Sequence, residues 1–449
     1  MEIQVGRLRN ILDLLAPAVA GRKATLPVTK SVLFQGGRAR ATNLEVAVSV
    51  AVPEFRDAAF LLEHKPVSET FKYILGTQTL QVDHTDGMVR FLTPGHSVAF
   101  PSKLNAEEFP PLPSVDMTEF PVDGDAFLAA LSKVQIYCAT DEARPVLTGV
   151  AIELGDRVMV VASDGFRLVW EPTQLRLPPS DGQAQLILPS KTIDILRALW
   201  KRSEKQPDVK VNMGEFTSKP SLTLARLAVA KRNMMVSYNV QQVQFRWGPV
   251  TVVAQLVQGS FPAYKSLIPG PGTSRVVVDA ASFTQALRQL RHVAAASSNI
   301  VRLEWAGQTM TVSATSEDEG DVAVTLPVST GGTGNHIAFD WGILNAYFAS
   351  KEGPVMLEMT SPDKPALCTY RGIAHVVIMP MFVKWTGDPL APEDPETPDE
   401  EPPPTEQLGE DGAGLTEAEP NEATSQEEPN SEEVPAETRP RSRGRKASR

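Results

Sequence analysis

Cysteine is scarce in this sequence, and long apolar runs are missing altogether. The 449 residues contain two cysteines, Cys138 and Cys368, whose wide separation argues against a disulfide framework. No stretch approaches the roughly 18 consecutive apolar residues of a membrane-spanning helix. The first residues, MEIQVGRLRNILDLL, enter an amphipathic pattern at once and lack the basic-then-apolar order of a signal peptide. Together these features predict a cytoplasmic protein.

Sequence signatures of catalysis and of metal binding are missing as well. The six histidines are scattered and form no H-x-x-x-H or Cys/His pair. No Walker loop, G-x-G-x-x-G or G-x-S-x-G segment occurs. We expect the glycine-rich stretch 269–275 to be a linker turn, the acidic stretch 315–321 to be a solvated strand connection, and Asp164 with Arg167 to form a turn with paired charges. The sequence therefore predicts a protein without catalytic activity, cofactor or metal.

The negative charge of the chain is concentrated at its end. The net charge is −11 overall, but residues 386–449 hold 18 acidic and 6 basic side chains, which leaves +1 for residues 1–385. The same 64 residues contain eleven prolines and no aromatic residue, and they finish on the basic stretch RPRSRGRKASR. Such a composition cannot bury enough apolar surface to offset chain entropy. We expect 386–449 to be a disordered, acidic, Pro-rich tail with a basic end.

One pattern of helices and strands recurs three times in residues 1–385. Apolar residues spaced along one face of a helix begin at Leu8, Phe127 and Phe283. Each is followed by β-rich segments and then by a second helical window, at 66–76, 190–205 and 340–353. Regular self-similarity indicates homologous units. The sequence therefore predicts an α+β fold of three homologous domains, each with two helices packed on antiparallel sheets, at 1–120, 121–266 and 267–385.

Four separated stretches carry a resemblance to a known family. They are GRKATLPVTKSVLF (21–34), TDEARPVLTGVAIE with VVASDGFRLVW (140–170), GSFPAYKSLIP (259–269) and VVIMPMFV (376–383). In this order, over essentially all of 1–385, they resemble the bacterial DNA polymerase III beta subunit, the processivity sliding clamp. The resemblance implies three DNA-clamp domains and a head-to-tail homodimer, which closes into a ring with helices inside and sheets outside. Such a ring surrounds duplex DNA without reading its sequence.

The resemblance also implies protein partners in DNA replication. Through short linear peptides the replicative polymerase, the clamp loader and repair proteins would bind a hydrophobic pocket between the second and third domains. The implied pocket residues are Leu147, Ser163, Gly165, Phe166, Arg167, Leu168, Pro262, Leu267, Val377, Met379, Pro380 and Met381. Methionine suits such a pocket because its flexible side chain adapts to several partners. Phe166, Ser266 and Phe382 replace residues that are commonly histidine, arginine and a basic residue, so we expect a more aromatic and less positive pocket.

Candidate DNA contacts lie on the helix faces opposite the apolar stripes. Helical spacing and position point to Arg9, Lys72, Lys133, Arg197, Lys201, Arg202, Arg288 and Arg291, and the resemblance adds the loop residues Arg22 and Lys23. For the dimer interface we expect Val98 and Phe100 on one edge, and Ala294, Ala295 and Ala296 on the other.

Two other functions fit parts of the sequence. One is a diverged clamp-like peptide-binding scaffold that does not close around DNA. The other is a nucleic-acid-modifying enzyme with a cryptic site that involves Asp164. The tail adds a hypothesis of its own, because 64 flexible residues reach roughly 40–50 Å. We expect the tail to tune access to the ring, its acidic stretch competing with DNA or its basic end contacting phosphate.

Overall fold

The computed structural model describes residues 1–385 except 22–23, 103–104, 112–114, 116, 180–183, 205–232, 271, 333–334 and 372. Met1–Trp385 form one compact unit, and the predicted tail, Thr386–Arg449, lies outside the described residues. No helix of the described part is long and apolar enough to cross a membrane. The same residues contain no cluster of His, Cys, Asp and Glu side chains that could hold a metal ion.

The same order of elements occurs three times along the chain. The first copy contains β1 (Glu2–Gln4), α1 (Val5–Leu15), β2 (Ser31–Gln35), β3 (Arg38–Thr42), β4 (Val46–Ala51), β5 (Ala59–Glu63), α2 (His64–Phe71), β6 (Thr79–Thr85), β7 (Met88–Thr93) and β8 (His96–Pro101). The second copy contains β9 (Phe120–Asp123), α3 (Gly124–Gln135), β10 (Gly149–Glu153), β11 (Met159–Ser163), β12 (Arg167–Pro172), β13 (Gln185–Pro189), α4 (Ser190–Glu204), β14 (Asn233–Tyr238), β15 (Gln242–Trp247) and β16 (Val250–Gln255).

The third copy repeats this order with one additional short strand, β21. It contains β17 (Ser274–Asp279), α5 (Ala280–Ala296), β18 (Ile300–Ala306), β19 (Thr309–Ser316), β20 (Gly320–Pro327), β21 (Ser329–Gly332), β22 (Asn335–Asp340), α6 (Trp341–Phe348), β23 (Pro354–Met359), β24 (Ala366–Tyr370) and β25 (Ile373–Ile378). The two helices of each copy contact each other, as the α+β prediction requires.

The helices form where the apolar spacing predicts them. In α1 the periodic residues Leu8, Ile11, Leu12 and Leu15 are buried, and the first helices of the other two copies bury the corresponding stripes. The second helix of the first copy ends at Phe71, although the apolar pattern extends to 76. Beyond this end the chain lies against α1, where the Arg9 guanidinium donates to the Ile74 carbonyl and the Gly6 amide donates to the Gly76 carbonyl.

Antiparallel sheets join the three copies to one another. A four-stranded sheet (β1-β6-β7-β8) belongs to the first copy, and another (β20-β19-β18-β22) belongs to the third. The eight-stranded sheet β5-β2-β3-β4-β16-β15-β14-β9 combines strands of the first and second copies. The nine-stranded sheet β13-β10-β11-β12-β25-β24-β23-β17-β21 combines strands of the second and third. Each copy therefore continues into the next through main-chain hydrogen bonds.

The two junctions between copies use equivalent strands. At the first, β4 pairs with β16, so that Val48 lies opposite Val252. At the second, β12 pairs with β25, so that Leu168 lies opposite Val377. By the same rule β20 and β8 would be junction strands, and among the described strands both lie at the edge of a sheet. An edge strand presents unpaired N–H and C=O groups to any strand that can pair with it.

Both cysteines are free and buried. Burial raises the pKa of each thiol from its ordinary value of 9.0 to about 12. We expect neither thiol to react with iodoacetamide at pH 8 in the native chain, because only the thiolate is a nucleophile. Mass spectrometry should find no label before unfolding and two labels per chain in guanidinium. Rapid native labelling would contradict the burial.

The same shift has a consequence for stability. A group whose pKa is higher in the folded state stabilises the fold fully below its unfolded pKa. We therefore expect the thiol contribution to be complete below pH 9 and to be lost as the pH rises toward 12.

Candidate functional site

The predicted pocket residues meet where β12 pairs with β25. The strand pairing sets Arg167 opposite Ile378 and Leu168 opposite Val377. Beyond the last pair, the Met379 amide donates to the Phe166 carbonyl over 2.9 Å. The turn before β12 and the segment after β25 are thereby held side by side. We call the surface formed by these two segments and the linker 259–268 the pocket surface.

Asp164 fixes the turn that carries Phe166. Its Oδ1 accepts hydrogen bonds from the amides of Phe166 (2.9 Å) and Arg167 (2.7 Å). The Ser163 hydroxyl donates to the Arg167 carbonyl (2.7 Å) and accepts from the Gly165 amide (3.1 Å). Gly165 has φ = +92°, a conformation that residues with a Cβ rarely adopt. These hydrogen bonds therefore fix the backbone that carries the exposed Phe166 side chain.

Arg167 links this turn to the end of helix α3. Its guanidinium donates to Asp164 Oδ2 (2.9 Å from Nε), and both side chains are largely buried. The same guanidinium lies 5.0 Å from the centre of the Tyr137 ring, a cation–π contact. Burial raises the pKa of Tyr137 to about 12, so its hydroxyl is neutral at physiological pH. The turn with paired charges that the sequence predicts is present, and Tyr137 is an additional partner.

An apolar cluster separate from the main core lies beneath the pocket surface. It contains three of the predicted pocket residues, Leu147, Leu168 and Val377, which the structure brings together. The cluster also contains Ala151, Val161, Ile187, Phe261 and Tyr264. Pattern reasoning missed Phe261 and Tyr264, although both stand in GSFPAYKSLIP beside the predicted Pro262. The linker itself is tied to β10 by the ion pair of Lys265 with Glu153 (3.1 Å).

Several large apolar side chains remain exposed on this surface. Phe166 is 51% exposed, Leu267 45% and Met379 37%. Pro262 is exposed as well, while Pro380 and Met381 are half-buried. Arg144, which the sequence analysis did not single out, lies against Gly165 and adds a positive charge at the rim. Apolar side chains with a polar rim suit the anchoring of a partner's apolar residues.

The junction between the first and second copies has the same backbone but different side chains. There the Gln255 amide donates to the Glu45 carbonyl (3.0 Å), as Met379 does to Phe166. Ala47, paired with Val253, takes the place of Leu168. Glu45, Gln255 and Ala47 thus replace Phe166, Met379 and Leu168. The exposed phenylalanine and methionine therefore belong to the second junction, whereas the first junction exposes Leu44 beside Glu45 and Gln255.

Most of the predicted DNA contacts are exposed cations on helices. Lys72 follows α2, Lys133 is on α3, and the remaining members are on α4 and α5: Arg197, Lys201, Arg202, Arg288 and Arg291. Two of them contact carboxylates, since Lys133 lies 2.6 Å from Glu171 and Arg197 lies 3.7 Å from Asp194. Arg291 lies 5.7 Å from the Trp341 ring centre. Such surface pairs are weak and leave the cations available to phosphate.

Three predicted DNA contacts lie outside this group, and a fourth, Arg202, has a bond of its own within the chain. Arg9 is half-buried and holds the Ile74 carbonyl, and its Nε has no hydrogen-bond partner. Arg22 and Lys23 lie outside the described residues. Arg202 is exposed but donates to the Asp13 carbonyl of α1, which joins the first and second copies on the helix side.

The predicted interface residues lie at the two ends of the described unit. Val98 and Phe100 are half-exposed members of the edge strand β8. Beside them is a groove of about 400 Å³ that Leu61, Val67 and Phe100 help to line. At the other end, Ala295 and Ala296 are exposed at the end of α5, and Ala294 is buried. Val322 and Val324 of the edge strand β20 are only partly buried.

Comparison with known proteins assigns a fold family to this architecture. Residues 121–263 match the family model of the DNA polymerase III beta subunit, central domain. The beta sliding clamp of Streptomyces coelicolor is 26% identical over 390 residues, which cover 83% of this chain and 94% of that protein. The solved DNA polymerase III subunit beta of Pseudomonas aeruginosa is similar with a TM-score of 0.70 and 19% identity, over 85% of this chain and 100% of the other.

A second solved structure from Pseudomonas aeruginosa is that of a sliding clamp bound to griselimycin. It matches with a TM-score of 0.68 and 20% identity over 85% of this chain and 99% of the other. These likenesses confirm the clamp fold, and with the family model they confirm the resemblance that the sequence motifs indicate.

Replacing Asp164 with alanine tests whether its side chain holds the turn that carries Phe166. The change removes the acceptor of two backbone amides and the partner of the Arg167 guanidinium. We expect the free energy of unfolding to fall by about 1–3 kcal/mol. Denaturant titration measures this loss, and amide exchange should accelerate at 164–168.

Asp156→Ala is the matched control for this change. The Asp156 side chain is 87% exposed, and among the described residues its ion-pair partner is the exposed Arg176. We expect this variant to stay within about 0.5 kcal/mol of the unchanged protein. Equal losses in the two variants would show that Asp164 does not support the turn.

Proposed function

We propose that this chain, which shares the fold of the DNA polymerase III beta subunits and matches their central domain, is a DNA sliding clamp. It would encircle duplex DNA as a homodimer and tether the replicative polymerase, so conferring processivity in DNA replication. The clamp loader and repair proteins would bind the same pocket surface. Each chain would contribute three domains, 1–120, 121–266 and 267–385. The role is that of a non-catalytic subunit, and we propose a cytoplasmic location for it.

The observation that carries this proposal is the continuity of the sheets. At both junctions within the chain, one strand of a copy pairs with the last strand of the following copy. These pairs are β4 with β16 and β12 with β25, and β12 is the strand that follows the turn of Asp164. The equivalent strands at the two ends of the unit, β20 and β8, are both edge strands. Pairing of β20 with β8 of a second chain would repeat the junction twice more. A head-to-tail contact of this kind closes into a ring when the rotation completes a circle.

The repeat also predicts a register for that contact. Val48 lies opposite Val252 at the first junction. Val322, which pairs with Ala314, is the equivalent of Val48 in the third copy, and Val98, which pairs with Phe91, is the equivalent of Val252 in the first. In this register Val98 of one chain would lie opposite Val322 of the other. The burial of Val98 and Phe100 by a partner would also remove an exposed apolar edge.

The exposed cations on the helices support contact with DNA. Phosphates are spaced regularly along any duplex, so scattered arginines and lysines attract every sequence equally. Lys201, Arg288 and Arg291 fit this role because they are exposed and none of them is seen to pair with a carboxylate among the described residues. No base contact is needed, and the ring would slide because no position on the duplex is preferred.

The pocket surface supports the binding of short peptides with apolar anchors. Phe166, Leu267 and Met379 are exposed around a preformed apolar cluster. A leucine or phenylalanine of a partner would displace water from these side chains. The Pseudomonas aeruginosa clamp bound to griselimycin shows that a ligand binds a protein of this fold.

Two rival functions predict different behaviour in solution. A clamp-like scaffold that does not close would stay monomeric and would not be retained on circular DNA. A nucleic-acid-modifying enzyme would change labelled DNA in the presence of Mg²⁺ or Zn²⁺, and Asp164→Ala would abolish that turnover. In the structure Asp164 holds a turn and pairs with Arg167, a structural arrangement that does not favour the enzyme.

Paired cysteines across the proposed interface test its register. In Val98→Cys/Val322→Cys the two new thiols of neighbouring chains would lie on directly opposite residues, within the Cα separation that a disulfide needs. We expect mild oxidation to yield a covalent dimer with two cross-links, seen by electrophoresis without reductant. The buried native thiols are spectators.

The matched control shifts one cysteine along its strand. Val98→Cys/Val324→Cys moves the second thiol by two residues, and we expect it to cross-link much more slowly. Equal rates for both pairs, or no cross-link with either, would show that β8 and β20 do not pair in this register.

Retention on DNA tests ring closure itself. We expect the protein to stay on nicked circular DNA through gel filtration and to be lost once the circle is linearised, because a ring slides off free ends. Arg288→Glu/Arg291→Glu should weaken retention several-fold, whereas Lys364→Glu, at an exposed site in the turn between β23 and β24, should not. A monomeric protein that is never retained would support the scaffold instead.

A further inference from the structure

The last described residues leave the pocket surface and lie against the third copy. After Met379, whose amide bonds to Phe166, the Met381 amide donates to the Ala338 carbonyl of β22 over 2.8 Å. β22 is an edge strand of its sheet, so this bond satisfies a carbonyl that the sheet leaves open. We call residues 379–385 the terminal segment. It spans the second junction from the turn of Asp164 to β22.

Trp385 provides the final contact of the terminal segment. Its ring centre lies 4.3 Å from that of His336 on β22. Arg302, on the neighbouring strand β18, places its guanidinium carbon 5.9 Å from the same indole. Arg302 is itself held by a hydrogen bond to the Thr315 hydroxyl (3.3 Å). The indole is therefore bracketed by two side chains of the rigid sheet.

Of the three residues between the two contacts, Val383 alone is half-buried. Phe382 is 86% exposed and Lys384 is exposed. One amide bond at Met381 and one indole at Trp385 therefore fix the path of the chain after Pro380. An aromatic ring that stacks and also meets a guanidinium is a strong anchor for such a short segment.

We propose that Trp385 is a positioning residue for the pocket surface. By fixing the end of the terminal segment it holds Met381 on β22 and Met379 against the turn of Phe166, so that both methionines meet a peptide in a set place. This inference rests on the proposed peptide-binding role. It assigns to Trp385 a part of the site that the pocket motif, which ends at Val383, does not include.

Substitutions in the full-length chain test the anchor. In Trp385→Ala the ring contacts to His336 and Arg302 are lost, and we expect amide exchange at 379–384 to accelerate by roughly tenfold. Trp385→Phe keeps an aromatic ring in the seat and should restore most of the protection. Tyr73→Ala is the matched control, since it removes an aromatic ring that is 81% exposed and belongs to the first copy.

The second measurement is the affinity of a fluorescein-labelled decapeptide that contains one leucine and one phenylalanine. We expect Trp385→Ala to weaken its binding about threefold to tenfold, with Trp385→Phe close to the unchanged protein and global unfolding unaltered. If the peptide binds the unchanged protein and Trp385→Ala with equal affinity, the positioning role is overturned, while the proposed pocket remains.

Two further results would also count against the inference. Unchanged exchange at 379–384 in Trp385→Ala would show that Trp385 does not anchor the segment. Absence of peptide binding to the unchanged protein would refute the proposed pocket itself, and the positioning role would fall with it.

Discussion

The hydrogen-bonding needs of edge strands are the constraint on which this structure depends. A strand at the edge of a sheet leaves main-chain groups open, and in this chain two such edges are satisfied by joining one copy of the fold to the next. Everything else follows that arrangement. The helices pack against the sheets, the pocket surface forms where β12 meets β25, and the remaining edges, β8 and β20, are where we propose that a second copy attaches.

The repeated backbone carries different chemistry at each junction. Asn43 and Asp164 hold equivalent turns, each with a side-chain oxygen that accepts two backbone amides. At the position of the αL residue, the first turn has Leu44 (φ = +78°) and the second has Gly165 (φ = +92°). The second turn exposes Phe166 next to Met379, while the equivalent positions of the first junction hold Glu45 and Gln255. A duplicated scaffold thus allowed one junction to specialise without a change of fold.

Sequence patterns predicted the parts of the structure that are local. The helices follow from the spacing of residues such as Leu8 and Phe283, because one turn of helix brings such residues to one face. The pairing of β4 with β16 joins residues about 200 positions apart, and periodicity holds no information on such contacts. Phe261 and Tyr264 were missed because nothing in their linker shows that it folds back on the sheet. The contact of Trp385 with His336 is equally non-local.

The side chains of the first junction limit the number of peptide sites on the proposed ring. Six domains would meet at six junctions, but in the described part of the chain the exposed Phe166 and Met379 lie at the second junction, and Glu45 and Gln255 occupy their counterparts at the first. A dimer would then offer two pocket surfaces, one on each chain. Two partners could then bind one ring at the same time, and a third could bind only after one of them has dissociated.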